Sequence, residues 1–451
     1  MTASGNRRRR LEWLIRLVQY YRNWTRPQVA HALGVSDLRR LAPSSGDVRI
    51  SIAVRLARLL DWRVDEVARY LWTEPIANAS DQRDTPASNP PPDCDSEAGE
   101  VCWDLDGEAS QARAQAEAAS DSYADIDRAA WEAYQAGDFG RVVRLARYAY
   151  AKAESPEQRA AACNRELGGW DGLGRYAEAL EAVRRGLTET PIQEARRLRL
   201  QSNLANAHYT LWNLTEARSV ATEVVEHYLA HGTDDRASDK NLAFSYYVRG
   251  QTARRLIGIE PENTIQYAQR SCTDLQQAHQ HYSQMGDEVG DDRFAGLIRL
   301  CESGLLESRT ALSEVSADDA LHMIIEQLEA VTDPEDWPAG EVLESYGWSC
   351  VFGCNIALRH LPEESQQRPM AILTNKAYEI SDRLENWSLR ERALVMESFR
   401  RQRLADWTGV NEEWMLDEQE VRIVTGTMAR FPSFRRTGWR ILNSARLVTE
   451  M

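Results

Sequence analysis

Apolar residues recur at helical spacing through most of the chain. Near the N-terminus Leu11, Leu14 and Val18 are three or four positions apart, which puts them on one face of a helix. The same spacing occurs in ISIAVRLARLLDW (50–62) and RVDEVARYLW (63–72), and strand-type alternation is almost absent. The pattern predicts an all-α protein.

The stretch TRPQVAHALGV (25–35) carries start and stop signals for a short helix. Thr25 is a suitable N-cap, Pro27 fits the first turn, and Gly34 fits the end of the helix. We therefore predict a helix between Thr25 and Gly34.

The next segment, GVSDLRRLAPSSGD (34–47), predicts another short helix. Ser36 would cap its N-terminus, whereas Pro43 disfavours helical backbone at the residue before it. The helix should therefore end after about two turns, near residue 42.

Residues 75–122 interrupt the helical pattern. The stretch PIANASDQRDTPASNPPPDCDSEAGE (75–100) has five prolines and too few apolar residues to offset the entropy of an ordered chain. We predict a flexible linker here, which would separate a domain over 1–74 from a second over 123–451.

The second domain contains an internal repeat. Phe139, Tyr176 and Leu214 recur at spacings of 37 and 38 residues. Each is followed by small or branched residues at three matching positions: Val142, Ala179 and Ala217; Ala146, Val183 and Ala221; Ala149, Gly186 and Val224. Because small side chains let antiparallel helices approach closely, the repeat predicts stacked helical hairpins. A looser unit is expected at 278–290, and hairpins should continue to about residue 440.

Charge divides the chain into a basic beginning and an acidic remainder. The net charge is −15, but residues 1–75 hold fourteen arginines and seven acids, a net of +7, which leaves −22 for the rest. This asymmetry indicates one end that faces a polyanion and a body exposed to solvent. No apolar run suits a membrane span or a signal peptide, so we expect a cytoplasmic protein without a membrane partner.

One glycine motif suggests a cofactor site but has a simpler interpretation. Gly172-x-Gly174-x-x-Ala177 has the outline of a dinucleotide fingerprint, yet it lacks the preceding strand and falls between two predicted helices. There is also no phosphate loop, nucleophile elbow or kinase signature. We predict a protein that is not an enzyme and has no cofactor.

Histidine and cysteine pairs raise the possibility of a metal or redox site. His227 and His231 are one helical turn apart, and so are Cys350 and Cys354. Without further ligands nearby, a solvated helix face is favoured for the histidines and a packed face for the cysteines. The seven cysteines are scattered, so free thiols and no metal site are expected.

The late stretch SLRERALVMESFRRQRL (388–404) holds five arginines against two acids. It could form a second nucleic-acid surface or a dimer contact. A capping helix with a polar outer face is the more ordinary interpretation.

The first domain resembles the Xre or Cro-repressor type of helix-turn-helix. The resemblance rests on WTRPQVAHALGVS (24–36), on Gly46 twelve residues after Gly34, and on ISIAVRLARLLDWRVDEV (50–67). It implies a small five-helix domain over 1–74 that places residues 36–42 in the major groove of double-stranded DNA.

The resemblance also implies which residues contact DNA: Thr25, Arg26, Gln28, Ser36, Arg39, Arg40 and Arg49. Arg39 and Arg40 would reach guanine edges or phosphates, and the residues before them would bind the backbone. Arg40 departs from the family, which has a buried isoleucine at this position, and Pro43 shortens the recognition helix.

The repeats resemble the tetratricopeptide repeat, and Pro191 falls where that repeat ends its second helix. The resemblance implies an α-solenoid whose concave face binds a peptide or protein segment. The whole layout resembles peptide-responsive regulators, in which a peptide alters the geometry of a homodimer and hence operator binding. We therefore expect a DNA-binding transcriptional regulator. The alternative is a non-enzymatic scaffold with a degenerate helix-turn-helix that binds protein.

Overall fold

The chain is all-α, as predicted, and divides into two compact units. A computed structural model describes residues 3–22, 24–38, 41, 48–60, 62–72, 122–289, 294–338, 340–410 and 413–447. One unit, here called the terminal unit, combines residues 1–102 and 412–451, and the other, the hairpin unit, spans 103–411. Of the predicted linker 75–122, only Ser122 lies within the described residues. Over the same described ranges, no helix is long and apolar enough to cross a membrane.

Four helices form the N-terminal part of the terminal unit: α1 (Ala3–Arg22), α2 (Arg26–Ala32), α3 (Ile50–Leu60) and α4 (Val64–Trp72). Helix α1 contacts the other three, and α3 packs on α4. The buried positions are those of the helical pattern: Leu11, Leu14, Val18, Leu56, Leu60 and Leu71. Burial of one apolar face per helix holds this part together.

Helix α2 has the predicted bounds, and its first turn is fixed by a local hydrogen-bond pair. The side-chain oxygen of Gln28 accepts from the Thr25 backbone N–H (2.8 Å) and from the Thr25 hydroxyl (3.0 Å). Gly34 follows the helix with a φ of 67°, a left-handed conformation that glycine adopts readily.

Most of the predicted helix that begins at Ser36, including Arg39, Arg40 and Ala42, lies outside the described residues. Ser36 and Asp37 are not helical, and the Leu41 N–H donates to the Leu38 carbonyl (3.1 Å) in a three-residue turn. Leu38 and Leu41 are both buried, since a tight turn puts side chains three residues apart on one side. The described residues between 3 and 72 contain four α-helices, and the segment in which the fifth was predicted, with Pro43, lies mostly outside the described residues.

The C-terminal segment belongs to the terminal unit, which corrects the predicted domain 123–451. It comprises β1 (Trp414–Leu416), α18 (Glu418–Arg430), a 3₁₀ turn (Pro432–Phe434), α19 (Arg435–Ser444) and β2 (Ala445–Leu447). The two short strands pair in parallel, with Trp414 opposite Ala445. Helix α18 packs against α1, so the first and last parts of the chain share one core.

Aromatic and ionic contacts join the C-terminal segment to α4. The Trp439 ring stacks on Tyr70 (centroids 3.8 Å apart) and meets the edge of Trp62 (5.8 Å). Arg435 forms an ion pair with Glu66. The helical pattern of residues 418–444 is like that of the repeats, and periodicity alone does not specify which partner an apolar face contacts.

The hairpin unit is a stack of antiparallel helix pairs followed by one last helix. The helices are α5 (Tyr123–Gln135), α6 (Phe139–Lys152), α7 (Pro156–Gly172), α8 (Tyr176–Thr188), α9 (Glu194–Thr210), α10 (Leu214–His231), α11 (Arg236–Leu256), α12 (Thr264–Val289), α13 (Ala295–Ala311), α14 (Ala317–Gln327), α15 (Gly340–His360), α16 (Glu363–Arg383) and α17 (Trp387–Thr408). Short 3₁₀ turns occur at Pro261–Asn263 and Leu328–Val331. Neighbouring pairs pack side by side, and their first helices also contact one another.

The sequence repeat corresponds to one fixed position in each of the first three hairpins. Phe139, Tyr176 and Leu214 are each the first residue of a second helix. Two residues earlier the backbone is left-handed at Gly137 (φ 74°), Gly174 (67°) and Trp212 (65°). All nine small or branched positions that follow are buried.

The looser unit expected at 278–290 is corrected. Residues 278–289 lie inside the long helix α12 and form no turn between helices. Ala278, Tyr282 and Met285 are buried there at helical spacing, so the similarity to a repeat came from the apolar face of one helix.

Candidate functional site

The hairpin unit forms an open cavity of about 970 Å³. Its walls come from the first helix of each hairpin and from the start of α17. Helix α9 contributes one polar face, because its lining residues are three or four positions apart: Arg196, Arg199, Asn203, Asn206 and Thr210. A cavity of this size accommodates a ligand as large as a drug molecule or a short peptide.

One side of the cavity is closed by the first residues of α17. The Ser388 backbone N–H donates to the Tyr176 hydroxyl (3.2 Å), although the two residues are 212 positions apart in sequence. The Trp387 ring lies directly on Gly174, where a Cβ atom would come within 2.6 Å of the ring. Gly174 is therefore required for this contact as well as for its left-handed backbone.

The basic end of the cavity is formed by Arg196 and Arg199 on α9, with Arg165 of α7 nearby. Arg196 forms an ion pair with Glu157 (3.0 Å), and Arg165 forms one with Asp127 (3.1 Å). Arg199, one turn after Arg196, faces the cavity and makes no hydrogen bond or ion pair with a described residue. Burial lowers the pKa of Arg199, and the charges of Arg196 and Arg165 lower it further.

The acidic end is formed by Asp171 at the end of α7 and Glu344 on α15. One oxygen of Glu344 accepts from Trp348 Nε1 (2.9 Å) and from Asn386 Nδ2 (2.8 Å). The Asp171 carboxylate opens into the cavity but has no hydrogen-bond partner among the described side chains. Within the same described set, neither carboxylate forms an ion pair with a basic group.

The Asp171 side chain is exposed within the cavity, and that of Glu344 is half-buried. Desolvation by the surrounding cavity wall raises the pKa of Asp171 to about 7, and the nearby charge of Glu344 adds to the effect. Burial also raises the pKa of Glu344, against the two hydrogen bonds that favour its charged form. The Tyr134 hydroxyl has its pKa raised to about 12 by burial and by the charge of Asp171. A cationic ligand group would stabilise the ionised forms of these carboxylates.

The two ends are separated along the axes of α7 and α9. Glu157 pairs with Arg196, and Asn203 Nδ2 donates to Asn164 Oδ1 (2.7 Å), so residues 39 positions apart lie side by side. Arg199 is therefore level with residue 160, eleven residues from Asp171. At a rise of 1.5 Å per residue, the basic and acidic ends are about 16 Å apart along the helices.

We expect Asp171→Asn to stabilise the protein more at pH 8 than at pH 5. Because the pKa of Asp171 rises from 3.8 to about 7 on folding, its ionisation costs stability progressively as the pH increases between these values. The full cost is present above pH 7, and asparagine removes it. Thermal midpoints at the two pH values measure the effect.

Glu181→Gln is the matched control for this prediction, because Glu181 is an exposed acid on α8. The charged and titratable groups that face Asp171 are Glu344 and Glu341 on α15, Tyr134 on α5 and Tyr176 on α8. An equal gain from Asp171→Asn at both pH values would contradict a raised pKa.

A buried ion network lies on α11, α13 and α15. Glu307 accepts from Arg254 Nη1 (2.6 Å) and Arg359 Nη1 (2.6 Å), and Asn355 Nδ2 donates to it at 3.3 Å. The Glu307 side chain is 0% exposed and that of Arg254 3%. The Arg254 guanidinium also lies over the Phe352 ring (3.9 Å), which lines the cavity. The network therefore fixes one wall of the cavity.

In the terminal unit, the predicted DNA-contacting residues are exposed where the structure describes them. Thr25, Arg26 and Gln28 lie at the start of α2, Ser36 lies in the turn after it, and Arg49 precedes α3. The Thr25 and Gln28 side chains bond to each other. Arg39 and Arg40 lie outside the described residues.

The glycine and histidine motifs have structural roles. Gly172 ends α7 and Gly174 lies in the turn before α8, so the dinucleotide fingerprint is absent, as predicted. His227 and His231 stack at 4.4 Å, and His227 Nδ1 is 3.6 Å from a Glu194 oxygen. Among the described residues, no group of three or more potential ligands could hold a metal ion.

The cysteine pair and the arginine-rich helix are also accounted for by packing. Cys350 and Cys354 are buried in one apolar cluster on α15, and burial raises the pKa of both thiols. The arginines of 388–404 form ion pairs within the unit: Arg390 with Asp382, Arg392 with Glu391, Arg400 and Arg401 with Glu397, and Arg403 with Glu363. These pairs favour the structural interpretation of α17.

The residues of the cavity were not identified from the sequence. Arg199, Asp171 and Glu344 belong to residue types that are abundant on every helix of this chain. The available signal was the polar stripe on α9, in which Arg199, Asn203 and Asn206 recur at helical spacing on a helix that also has an apolar face. Comparison with protein-family models gives no match, and comparison with curated proteins gives none either.

Proposed function

We propose that this protein is a DNA-binding transcriptional regulator whose hairpin unit binds a peptide. The observation that carries the ligand part of the proposal is the cavity, which is lined by the first helix of every hairpin. Tetratricopeptide-like hairpin stacks, which the repeats resemble, use this inner surface for peptides and protein segments. The proposal includes no catalytic step and no cofactor.

The polar groups of the cavity suit a peptide backbone. A peptide bound away from water needs hydrogen-bond partners for its N–H and C=O groups. Asn206 faces the cavity, and its amide makes no hydrogen bond with a described residue, so it can donate and accept at once. Tyr134, Phe244 and Trp387 supply apolar surface for side chains.

The DNA part of the proposal is supported by charge and exposure in the terminal unit. Residues 1–75 have a net charge of +7 in a chain of net charge −15. Arg26 and Arg49 are exposed, and neither is ion-paired to a described residue. An arginine-rich surface of this kind attracts the phosphate backbone of DNA. A homodimer that changes geometry when peptide binds would connect the two activities.

We expect the full-length chain to bind duplex DNA with an affinity that falls steeply with salt. Each phosphate contact contributes about −0.9 to the slope of log K against log salt concentration, because binding releases counterions. Arg26→Ala and Arg49→Ala should each make this slope shallower by about one contact. Fluorescence anisotropy of a labelled duplex at several salt concentrations measures it.

Arg422→Ala is the matched control, because it removes the same charge from the same unit. Unlike Arg26 and Arg49, Arg422 is ion-paired, with Glu418 at 2.8 Å. The full chain is needed, because residues 412–451 are part of the terminal unit. If the chain has no duplex affinity even at low salt, the scaffold alternative replaces the regulator.

A further inference from the structure

The C-terminal segment of the terminal unit carries a second basic stretch. Residues 421–449 hold six arginines and no aspartate or glutamate. Residues 421–451 have a net charge of +5, with Glu450 as their one acid, and residues 1–75 have +7, although the whole chain has −15. Both basic stretches belong to the terminal unit, although they lie at opposite ends of the sequence. Folding therefore brings two basic parts of an acidic chain into one compact unit.

Three of these six arginines have roles within the fold. Arg435 is buried and forms an ion pair with Glu66 on α4. Arg430 is half-buried and donates to a carbonyl of its own helix (3.1 Å). Arg422 is exposed but forms an ion pair with Glu418 (2.8 Å). The other three arginines have exposed side chains: Arg436, Arg440 and Arg446.

The exposed face of α19 is basic and polar. Arg436 and Arg440 are one helical turn apart, and Asn443 and Ser444 continue the same face toward the C-terminus of the helix. All four residues are exposed, and α19 contains no acidic residue. Arg446 follows two residues later in β2. The opposite face of α19 packs into the terminal unit, so these polar side chains are directed toward solvent.

The arginine-rich start of α1 lies near the same helix. Arg10 Nη1 donates to the Tyr70 carbonyl (3.0 Å), and its guanidinium lies 5.8 Å from the centroid of the Tyr70 ring. Tyr70 in turn stacks on Trp439 of α19 (3.8 Å between centroids). Trp439 belongs to the same helical turn as Arg436 and Arg440. Basic residues from both ends of the chain therefore border one aromatic stack.

We propose, on the basis of the proposed DNA-binding function, that Arg436, Arg440 and Arg446 form a second surface that binds the phosphate backbone of DNA. The surface holds the same duplex as Arg26 and Arg49. Arginine binds phosphate oxygens through charge-assisted hydrogen bonds, and asparagine and serine side chains also donate to them. Such contacts fix the position of the protein on the duplex without reading its sequence. The DNA-binding surface is thus built from both ends of the chain.

Duplex DNA suits this surface better than other anionic partners. It carries one negative charge per about 1.7 Å of its axis, so several neighbouring arginines can each meet a phosphate. Arg436 and Arg440 are separated by about 6 Å along the helix axis, which lets them bind different phosphates. A helix that binds a membrane surface presents apolar side chains beside its basic ones, and the exposed face of α19 presents none.

The test measures duplex binding by full-length protein that carries Arg436→Gln, Arg440→Gln and Arg446→Gln together, here called the glutamine variant. Fluorescence anisotropy of a labelled duplex is recorded at several salt concentrations. We expect the slope of log K against log salt concentration to become shallower by about 2.7, at about 0.9 per lost contact, and the affinity at 0.1 M salt to fall roughly a hundredfold. Duplexes of unrelated sequence should lose affinity equally, because phosphate contacts carry no sequence information.

The matched control carries Arg270→Gln, Arg368→Gln and Arg383→Gln, which remove three charges from exposed positions of the hairpin unit. Its slope should equal that of the unaltered chain. Lysine at positions 436, 440 and 446 keeps the three charges and should retain most of the slope, since lysine also binds phosphate. Circular dichroism and thermal midpoints that match those of the unaltered chain show that each variant is folded.

The outcomes separate the inference from the function on which it rests. If the unaltered chain has no duplex affinity at low salt, the proposed DNA-binding function fails. If it binds and the glutamine variant keeps the full slope, DNA binding stands and the C-terminal surface is excluded. An equal loss in the matched control would show an effect of overall charge and would overturn the inference, as would a loss confined to single-stranded RNA.

A combined variant tests whether both surfaces hold one duplex. When Arg26→Ala and Arg49→Ala are added to the glutamine variant, the two reductions in slope should add, because the two sets of residues contact separate phosphates. A combined slope no shallower than that of the glutamine variant would mean that the two surfaces do not bind the same duplex, which contradicts the proposal.

Discussion

Glu307→Gln is expected to lower the free energy of unfolding of the hairpin unit by about 3–5 kcal/mol, the cost of leaving a buried charge without its partner. Arg254 is 3% exposed and loses its only carboxylate partner among the described residues. Burial lowers the pKa of the Arg254 guanidinium, but the charges and hydrogen bonds of Glu307 and Tyr209 together raise it above its ordinary value. Arg359, with 25% of its side chain exposed, can turn toward water and loses less.

The measurement is urea denaturation followed by circular dichroism, with hydrogen exchange on α13 to assign the loss to the hairpin unit. The double variant Arg254→Met and Glu307→Leu removes both buried charges and fills the space with apolar groups. It should be close to neutral, because replacing a whole buried pair avoids the desolvation cost. Arg403→Met tests the exposed pair with Glu363 and should cost at most about 1 kcal/mol. A loss below about 1 kcal/mol for Glu307→Gln would mean that water reaches this network.

The Glu307 network also relates stability to the cavity. Arg254 lies over Phe352, and Phe352 lines the cavity wall. A variant that disorders this network should therefore also weaken peptide binding.

The hairpins could be predicted because their signals are local. Phe139, Tyr176 and Leu214 each begin the second helix of a hairpin. Each of these points needs a left-handed turn residue two positions before the helix and a small residue one helical turn into it. These requirements act within about forty residues and recur at a fixed period, so the sequence alone reveals them. The bounds of α2 were predictable for the same reason, from Thr25, Gln28 and Gly34.

The cavity could not be predicted, because its groups meet only in the folded stack. Asp171 and Glu344 are 173 residues apart, and Tyr176 meets Ser388 across 212 residues. No local spacing encodes these contacts, and single acids on amphipathic helices are normally solvated. The polar stripe of α9 identified one wall, but its function depends on what faces it.

The segment after Gly34 could be interpreted only through its resemblance to a helix-turn-helix. The spacing from Gly34 to Gly46 matches that pattern, but Ser36 and Asp37 are not helical, and Arg39, Arg40 and Pro43 lie outside the described residues. Leu38 and Leu41 are both buried, so the apolar positions of this segment contribute to the core. Short helices depend on tertiary packing more than on propensity, so spacing alone does not fix their bounds.

The assignment of residues 412–451 is the largest difference between the predicted and the observed organisation, and it leads to the second strong prediction. Trp439→Ala should destabilise the terminal unit by about 3 kcal/mol, the lower end of the range for removing a buried tryptophan, because the ring is half-buried. The variant loses the stack on Tyr70 and the edge contact with Trp62. Deletion of 412–451 should have a larger effect, since it also removes α18 from the surface of α1.

Hydrogen exchange of residues 11–18 in α1 measures this effect directly, because Leu11, Leu14 and Val18 are buried only while the terminal unit is intact. Trp407→Ala is the matched control: this tryptophan is 49% exposed on α17, and its removal should change stability by no more than about 0.5 kcal/mol. If α1 stays fully protected in the chain that lacks 412–451, the N-terminal helices fold without the C-terminal segment. If protection is lost, DNA affinity should be lost with it, because the surface that carries Arg26 and Arg49 then depends on both ends of the chain.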